Sequence, residues 1–245
     1  MSADPPLIQL PALVGGQAES WRALAELATL LGENWLLVGG QMVFLHEIER
    51  HAAEVRPTED VDVVVNLRVE PAVLGNTHAV LIEAGFSQDL PSPEGLAHRY
   101  RRCGATIDVL APDNLGSRAV LTLGSGRTLQ APGTTQAFRR SAVVRAQLDD
   151  GTTALIRRPT LVGAVLGKTA AVVKIASLST AERAKHLRDV DSLAKLLGID
   201  DRDTAKLSAG ELRMLQAMLD RYRTNMSPLG IASIDRLAAH MPDSD

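Results

Sequence analysis

The apolar and polar positions change period part-way along the chain. Up to Arg158 the apolar runs are short, rich in Val and Ile, and broken by Gly and Pro. Trp21, Leu24, Leu27 and Leu31 recur at three- and four-residue spacing and predict an amphipathic helix over 19–31, closed by Gly32. Residues 1–16, with Pro5, Pro6, Pro11 and the Gly15-Gly16 pair, are expected to form an extended arm. Next, W-L-L-V (Trp35–Val38) reads as a buried strand, Gly39-Gly40 as a hinge, and Gln41 as the opening of a helix. The run R-P-T-E-D-V-D-V-V-V, ending at Val65, reads as a second strand. Pro71 precedes a helix over about 72–84 that Gly85 closes. L-A-H-R-Y-R-R (96–102) and A-T-I-D-V-L (105–110), joined at Cys103-Gly104, read as a β-hairpin. Short strands at 119–123 and 128–130 sit among loop signals, and a strand pair at 143–148 and 153–157 turns at Asp149-Asp150-Gly151.

From Pro159 onward only the helical period remains. Pro159 suits a first helical turn, and the helix that follows (160–176) is apolar nearly all round, so it should be buried. A second helix over about 180–197 turns Leu187, Val190, Ala194 and Leu197 inward, with Ser179 or Thr180 as its cap and Gly198 at its end. Two more helices are expected at about 208–223 and 231–239. The fold class is therefore mixed α+β. A mixed β-sheet with flanking helices is expected over 1–158, and an α-helical bundle over 159–245.

Composition narrows the function classes only a little. At 245 residues, 45% hydrophobic and 22% charged, the chain suits one large or two small globular domains. Aromatics make up only 3%, so the core must be built from Leu, Val, Ala and Ile. A net charge of −3 gives no support to broad nonspecific nucleic-acid binding. The one cysteine, Cys103, excludes an intramolecular disulfide and a thiolate zinc site, and is expected to be a small strand residue. The N-terminus is not patterned as a signal peptide, and no apolar run approaches the roughly 20 residues needed to span a bilayer. A cytoplasmic protein with no membrane contact is the expectation.

The candidate chemistry lies in the opening stretch of the second strand. Side chains alternate along a strand, so Asp60 and Asp62 project from one side, about 7 Å apart. Two acids facing a glycine turn at a helix N-terminus suit Mg²⁺ (or Mn²⁺) together with a phosphate chain. Asp108, on a later strand, is a third acid inside a β-branched run. Lys168 stands within the apolar helix, where an unpartnered lysine is rarely buried, so it is expected to face a cleft and a triphosphate. Asp189 and Asp191 flank the next helix's apolar stripe; Asp191 has a ready i,i+4 mate in Lys195, which favours Asp189 as the cleft residue without deciding between them. Arg56 and Thr58, just ahead of Asp60, suit a phosphate contact and an acid-orienting hydrogen bond, or local turn contacts. His98 and Tyr100 share one strand face and Arg99 and Arg101 the other; one of these faces can line the site and stack a base, or be solvated. His46, among Val43, Phe44 and Leu45, is read as structural.

Gly39-Gly40 at a helix start, Asp60-Val61-Asp62 on a strand and Asp108 on a later one together resemble the nucleotidyltransferase fold associated with polymerase β. The fuller pattern V-G-G-Q-M-V-F-L-H … R-P-T-E-D-V-D-V-V-V, with Lys168 and the run Lys185-His186-Leu187-Arg188-Asp189-Val190-Asp191, resembles the AbiEii/MenT nucleotidyltransferase toxins over residues 35–197. The resemblance implies transfer of a nucleoside monophosphate from NTP, ATP included, to an acceptor hydroxyl, with the 3′ end of tRNA as acceptor and an antitoxin protein as partner. It implies Asp60, Asp62 and Asp108 as metal ligands, and Lys168 and Asp189 as further catalytic residues. Phosphate would be cradled by the backbone of Gly39, Gly40 and Gln41, with Arg56, Thr58, Lys168 and Asp191 as further nucleotide contacts. The pattern departs in two places: Gln41 stands where relatives carry a hydroxyl residue, and R-D-V-D-S-L shifts the second acid one residue early. Two alternatives remain open: a small molecule or protein side chain as acceptor, or an inactive nucleotide-binding module.

Overall fold

A computed structural model describes residues 4–56, 58–203 and 205–239. The first half runs β1 (Leu7–Gln9), α1 (Gly15–Leu30), β2 (Trp35–Val38), α2 (Gly39–Glu49), β3 (Asp60–Val65), α3 (Val73–Glu83) and β4 (Ser87–Gln88). It continues through β5 (Arg99–Arg102), β6 (Ala105–Pro112), β7 (Thr122–Leu123), β8 (Gly126–Arg127), β9 (Gln130–Ala131), α4 (Thr134–Arg139), β10 (Ser141–Gln147) and β11 (Thr153–Pro159). Helices α5 (Leu161–Lys174), α6 (Thr180–Lys195), α7 (Ile199–Asp203), α8 (Ala209–Tyr222) and α9 (Pro228–Ala239) follow. The mixed α+β class expected from the periodicity is the one observed.

The main sheet has the order β2-β3-β6-β5-β4, with β9 pairing the end of β6. Only β3–β6 and β6–β9 are parallel in it; the other neighbours are antiparallel. Val61, Val63, Val64 and Val65 are all buried, because β3 lies inside the sheet with both faces covered. The hairpin β5–β6 turns on Cys103 (φ +47°) and Gly104 (φ +89°), the pair of positive φ values that a two-residue turn of type I′ requires. Cys103 is therefore an exposed turn residue and not a strand residue.

The second sheet, β1-β10-β11, explains the proline-rich beginning. The arm is extended as expected, but it is docked: Leu7–Gln9 pairs parallel with β10, Ile8 is buried, and α1 begins at Gly15, ahead of the expected start. Pro159 corrects another expectation. It ends β11 opposite Ser141, and Thr160 caps α5 by accepting from the Gly163 amide. A proline costs no ladder hydrogen bond at a strand end, and a hydroxyl residue is the better helix cap.

Ser179 and Ser208 each start a helix with a reciprocal capping box, to Glu182 and Glu211. One hydrophobic core joins Leu37, Val63 and Ile107 of the sheet to Leu166, Val190, Leu215 and Ile234 of the C-terminal helices. That shared core holds α5 and α6 against the end of the sheet where β3 carries its aspartates. No helix among the described residues is long and apolar enough to cross a membrane.

Candidate active site

In β3 and β6, Asp62 and Asp108 are direct partners across the parallel pair. Their side chains therefore share one face, and Asp60, two residues before Asp62, joins them. The start of α2 abuts this face. Gly39 has φ +68°, and a Cβ there would lie 1.7 Å from Asp62 Oδ2, so only glycine lets the carboxylate sit over the helix N-terminus. At Gly40 a Cβ would come within 2.7 Å of Thr58 Oγ1. The two glycines are thus explained by close approach of the segment carrying Thr58, Asp60 and Asp62.

A cation already stands among the acids. Arg99, opposite Asp108 across the hairpin, donates from Nε to Asp108 Oδ1 at 2.8 Å and from NH2 to Oδ2 at 2.7 Å. The same NH2 reaches Asp60 Oδ2 at 3.4 Å. These bonds push the Arg99 pKa above its ordinary value. Among the described residues, Asp62 makes no such ion pair. Burial first, and the neighbouring Asp108 charge second, push its carboxyl up to about 6. Tyr100 points the other way: it is fully buried, with its hydroxyl 2.8 Å from His78 Nδ1, so it does not offer a face for a base.

Lys168 lines the site, but its partner is Asp189, at 2.8 Å. Both side chains are almost wholly buried, and Arg56 NH2 meets the other Asp189 oxygen at 3.0 Å. Burial pushes the Asp189 carboxyl up, but Lys168 and then Arg56 outweigh it and hold it below the usual carboxylate range. Asp189 and Arg56 therefore act from behind Lys168 and do not line the cavity. Asp191 lies elsewhere. It pairs with Lys195 at 2.7 Å and accepts from the Ser227 amide and hydroxyl at the start of α9.

Gln41 has no exposed surface. Its Nε2 donates to the Thr58 carbonyl at 2.6 Å and its Oε1 accepts from Trp21 Nε1 at 2.7 Å, so its side chain fastens the Thr58 segment to α1 and α2 and does not enter the cavity. His46 is buried as expected, against Arg158 and the Pro159 carbonyl.

These elements enclose a cavity of about 360 Å³. Its charged lining is Asp60, Asp62, Asp108, Arg99, Lys168 and Lys185. Leu110, Leu129, Pro132, Ala164, Ala171 and Ile175 add apolar surface to the same lining. Lys185 makes no ion pair among the described residues, and His186 beside it has a buried Nδ1 without a partner. Burial, then the Lys168 charge, hold the His186 pKa down at about 4. Sequence reasoning missed the 129–134 wall entirely, and no periodicity marks it.

The superposition on a solved structure decides the fold. The crystal structure of an antigenic nucleotidyltransferase-like protein from Paracoccidioides brasiliensis matches with a TM-score of 0.56 at 14% identity, covering 91% of this chain and 95% of that one. The chain has a nucleotidyltransferase-like fold. A looser match, TM-score 0.38 at 14% identity, is the crystal structure of ANT(2″)-Ia in complex with adenylyl-2″-tobramycin, over 84% of this chain and 96% of that one. No protein-family model matches the sequence, and no curated protein matches it.

The motif resemblance implies a divalent metal. Among the described residues, no three His, Cys, Asp or Glu side chains are already drawn together as a metal cage. The donor set nevertheless fits: three hard carboxylates share one sheet face, Asp62 makes no ion pair among the described residues, and a guanidinium stands against the other two.

Proposed function

We propose that this chain is a nucleotidyltransferase that moves a nucleoside monophosphate from an NTP to an acceptor hydroxyl. One observation carries the reading: Asp60, Asp62 and Asp108 share one cavity with the N-terminus of α2, whose Gly39 leaves room for the Asp62 carboxylate. The amides of Gly39 and Gly40, at the positive end of the α2 dipole, would donate to phosphate oxygens. Lys168 and Lys185 add positive charge on the side where a triphosphate would lie. Asp189 and Arg56 position Lys168, and Thr58 packs over Gly40. The apolar part of the lining suits a nucleobase. Held by Asp60, Asp62 and Asp108, Mg²⁺ (or Mn²⁺) would neutralise the triphosphate and acidify the acceptor hydroxyl.

For the acceptor, the motif resemblance to the AbiEii/MenT toxins supports the 3′ end of tRNA, with an antitoxin as protein partner. The test incubates purified protein with Mg²⁺ or Mn²⁺, each α-³²P-labelled NTP in turn, and total tRNA or a small-molecule and protein lysate. Label is expected on tRNA with the wild type and none with Asp62→Asn. Label that persists in Asp62→Asn sinks the carboxylate assignment. Label on small molecules or protein alone replaces the tRNA acceptor.

A further inference from the structure

We infer that Arg99 is a displaceable occupant of the metal seat, a built-in counter-ion that a divalent ion must dislodge from Asp108 before the three aspartates can bind it together. The inference rests on the metal-dependent reading above and adds a residue that reading does not use.

Asp108 is 6% exposed, and a buried carboxylate needs a cation or it is strongly destabilising. The two-residue turn at Cys103-Gly104 places Arg99 directly opposite it, and the guanidinium takes both of its oxygens in a fork. A carboxylate keeps further lone pairs, but a dication bound there would stand beside a partly desolvated guanidinium, and the two positive charges would repel. Metal and Arg99 therefore compete for Asp108, and through the 3.4 Å contact for Asp60 as well.

Arg99 also has somewhere to go. Its side chain is about one-third exposed and lines the cavity, whereas its strand neighbour Arg101 is tied to Asp89 on the surface. Turned into the cavity, the Arg99 guanidinium stays beside the expected triphosphate. The arrangement gives Asp108 and Asp60 a counter-ion when no metal is bound.

The test uses the full chain without nucleotide. The Arg99 Nε–Hε resonance, identified by its loss in Arg99→Lys, is followed in ¹H–¹⁵N spectra of the wild type as Mg²⁺ is added. In parallel, Mn²⁺ affinity is measured by calorimetry for the wild type, Arg99→Gln and Asp62→Asn. The proposal expects the resonance to move or broaden with Mg²⁺, and Arg99→Gln to bind Mn²⁺ tighter by at least about tenfold, the worth of one charge-assisted hydrogen bond. The wild-type spectrum answers even where Arg99→Gln folds poorly. Metal binding that Asp62→Asn abolishes, with the Arg99 resonance unmoved and Arg99→Gln no tighter, overturns this proposal alone. No Asp62-dependent binding in either protein overturns the proposal and the metal reading together.

Discussion

Asp189→Asn is the sharpest probe of how the helical half supports the site. The Asp189 carboxylate is 1% exposed and holds Lys168 at 2.8 Å and Arg56 at 3.0 Å, one cation on each oxygen. Asparagine keeps the shape but offers one oxygen and one amide donor. Whichever way the amide turns, its N–H₂ faces a cation, and the Lys168 ammonium, itself 6% exposed, loses its charge partner. Leaving a buried charge uncompensated costs about 3–5 kcal/mol, a large part of a typical total stability of about 5–15 kcal/mol. Urea unfolding at pH 7.5 measures it, with Trp21 and Trp35, both buried, as fluorescent reporters. The double variant Lys168→Met/Asp189→Leu removes both charges and leaves Arg56, about one-third exposed, to turn to water. Its stability should return to within about 1–2 kcal/mol of the wild type, because well-packed apolar residues often replace a buried ion pair without loss. A cost below about 1 kcal/mol for Asp189→Asn, or a double variant no better than the sum of the single ones, would refute the claim that Asp189 neutralises Lys168.

Two further outcomes follow from buried polar groups elsewhere. Gln41→Leu strands the Trp21 N–H and the Thr58 carbonyl, and should cost about 2–4 kcal/mol in urea unfolding; an unchanged midpoint would mean that Gln41 is not the fastener of the Thr58 segment. His46 is held down at about 4 by burial first and by Arg158 second, with Glu49 acting the other way. The unfolded chain, titrating near 6.5, binds the proton more readily, so His46 contributes stability in full above about pH 6.5 and loses it as pH falls to about 4. The loss is about 3 kcal/mol for this residue, and His186, shifted in the same direction, titrates in the same window. Urea midpoints at pH 7 and pH 5 should converge in His46→Gln relative to the wild type; an equally steep fall in that variant refutes the assignment.

Local rules reached much of this arrangement. Period-two alternation put Asp60 and Asp62 on one face, and two adjacent glycines marked the close approach that Gly39 makes to Asp62. A lysine in an otherwise apolar helix pointed to a cleft, and Lys168 does line the cavity. The partner was the part that local rules missed. Lys168 and Asp189 lie 21 residues apart on different helices, and each looked like a separate residue reaching for the nucleotide. In the structure they satisfy one another. Charges set in apolar surroundings need an opposite charge, and the nearest supply is often the protein itself. Lys185, without an ion pair among the described residues, is left as the cation freer to meet phosphate. Gln41 is a parallel case: its side chain, read as lacking the hydroxyl that would touch a triphosphate, is a buried amide bonded to Trp21 and Thr58.

Arg99 was within reach of the sequence in a way that Lys168–Asp189 was not. Once Cys103-Gly104 is read as the two-residue turn of a hairpin, the register is fixed, because Arg102 must face Ala105 and each step outward pairs the next residues. Three steps later Arg99 faces Asp108. An arginine directly across an antiparallel pair from a buried aspartate has little alternative to a forked ion pair. The parallel pairing that brings Asp62 beside Asp108 carries no such signal, since about forty residues, with α3, β4 and β5 among them, separate the two strands and no short turn sets their register. The acid cluster is therefore assembled by a long-range pairing that needs the fold, while its counter-ion is delivered by a local turn. Because that turn fixes the Arg99 backbone opposite Asp108, only the side chain would have to move for the proposed metal to reach Asp108, and such a swing needs no rearrangement of the sheet.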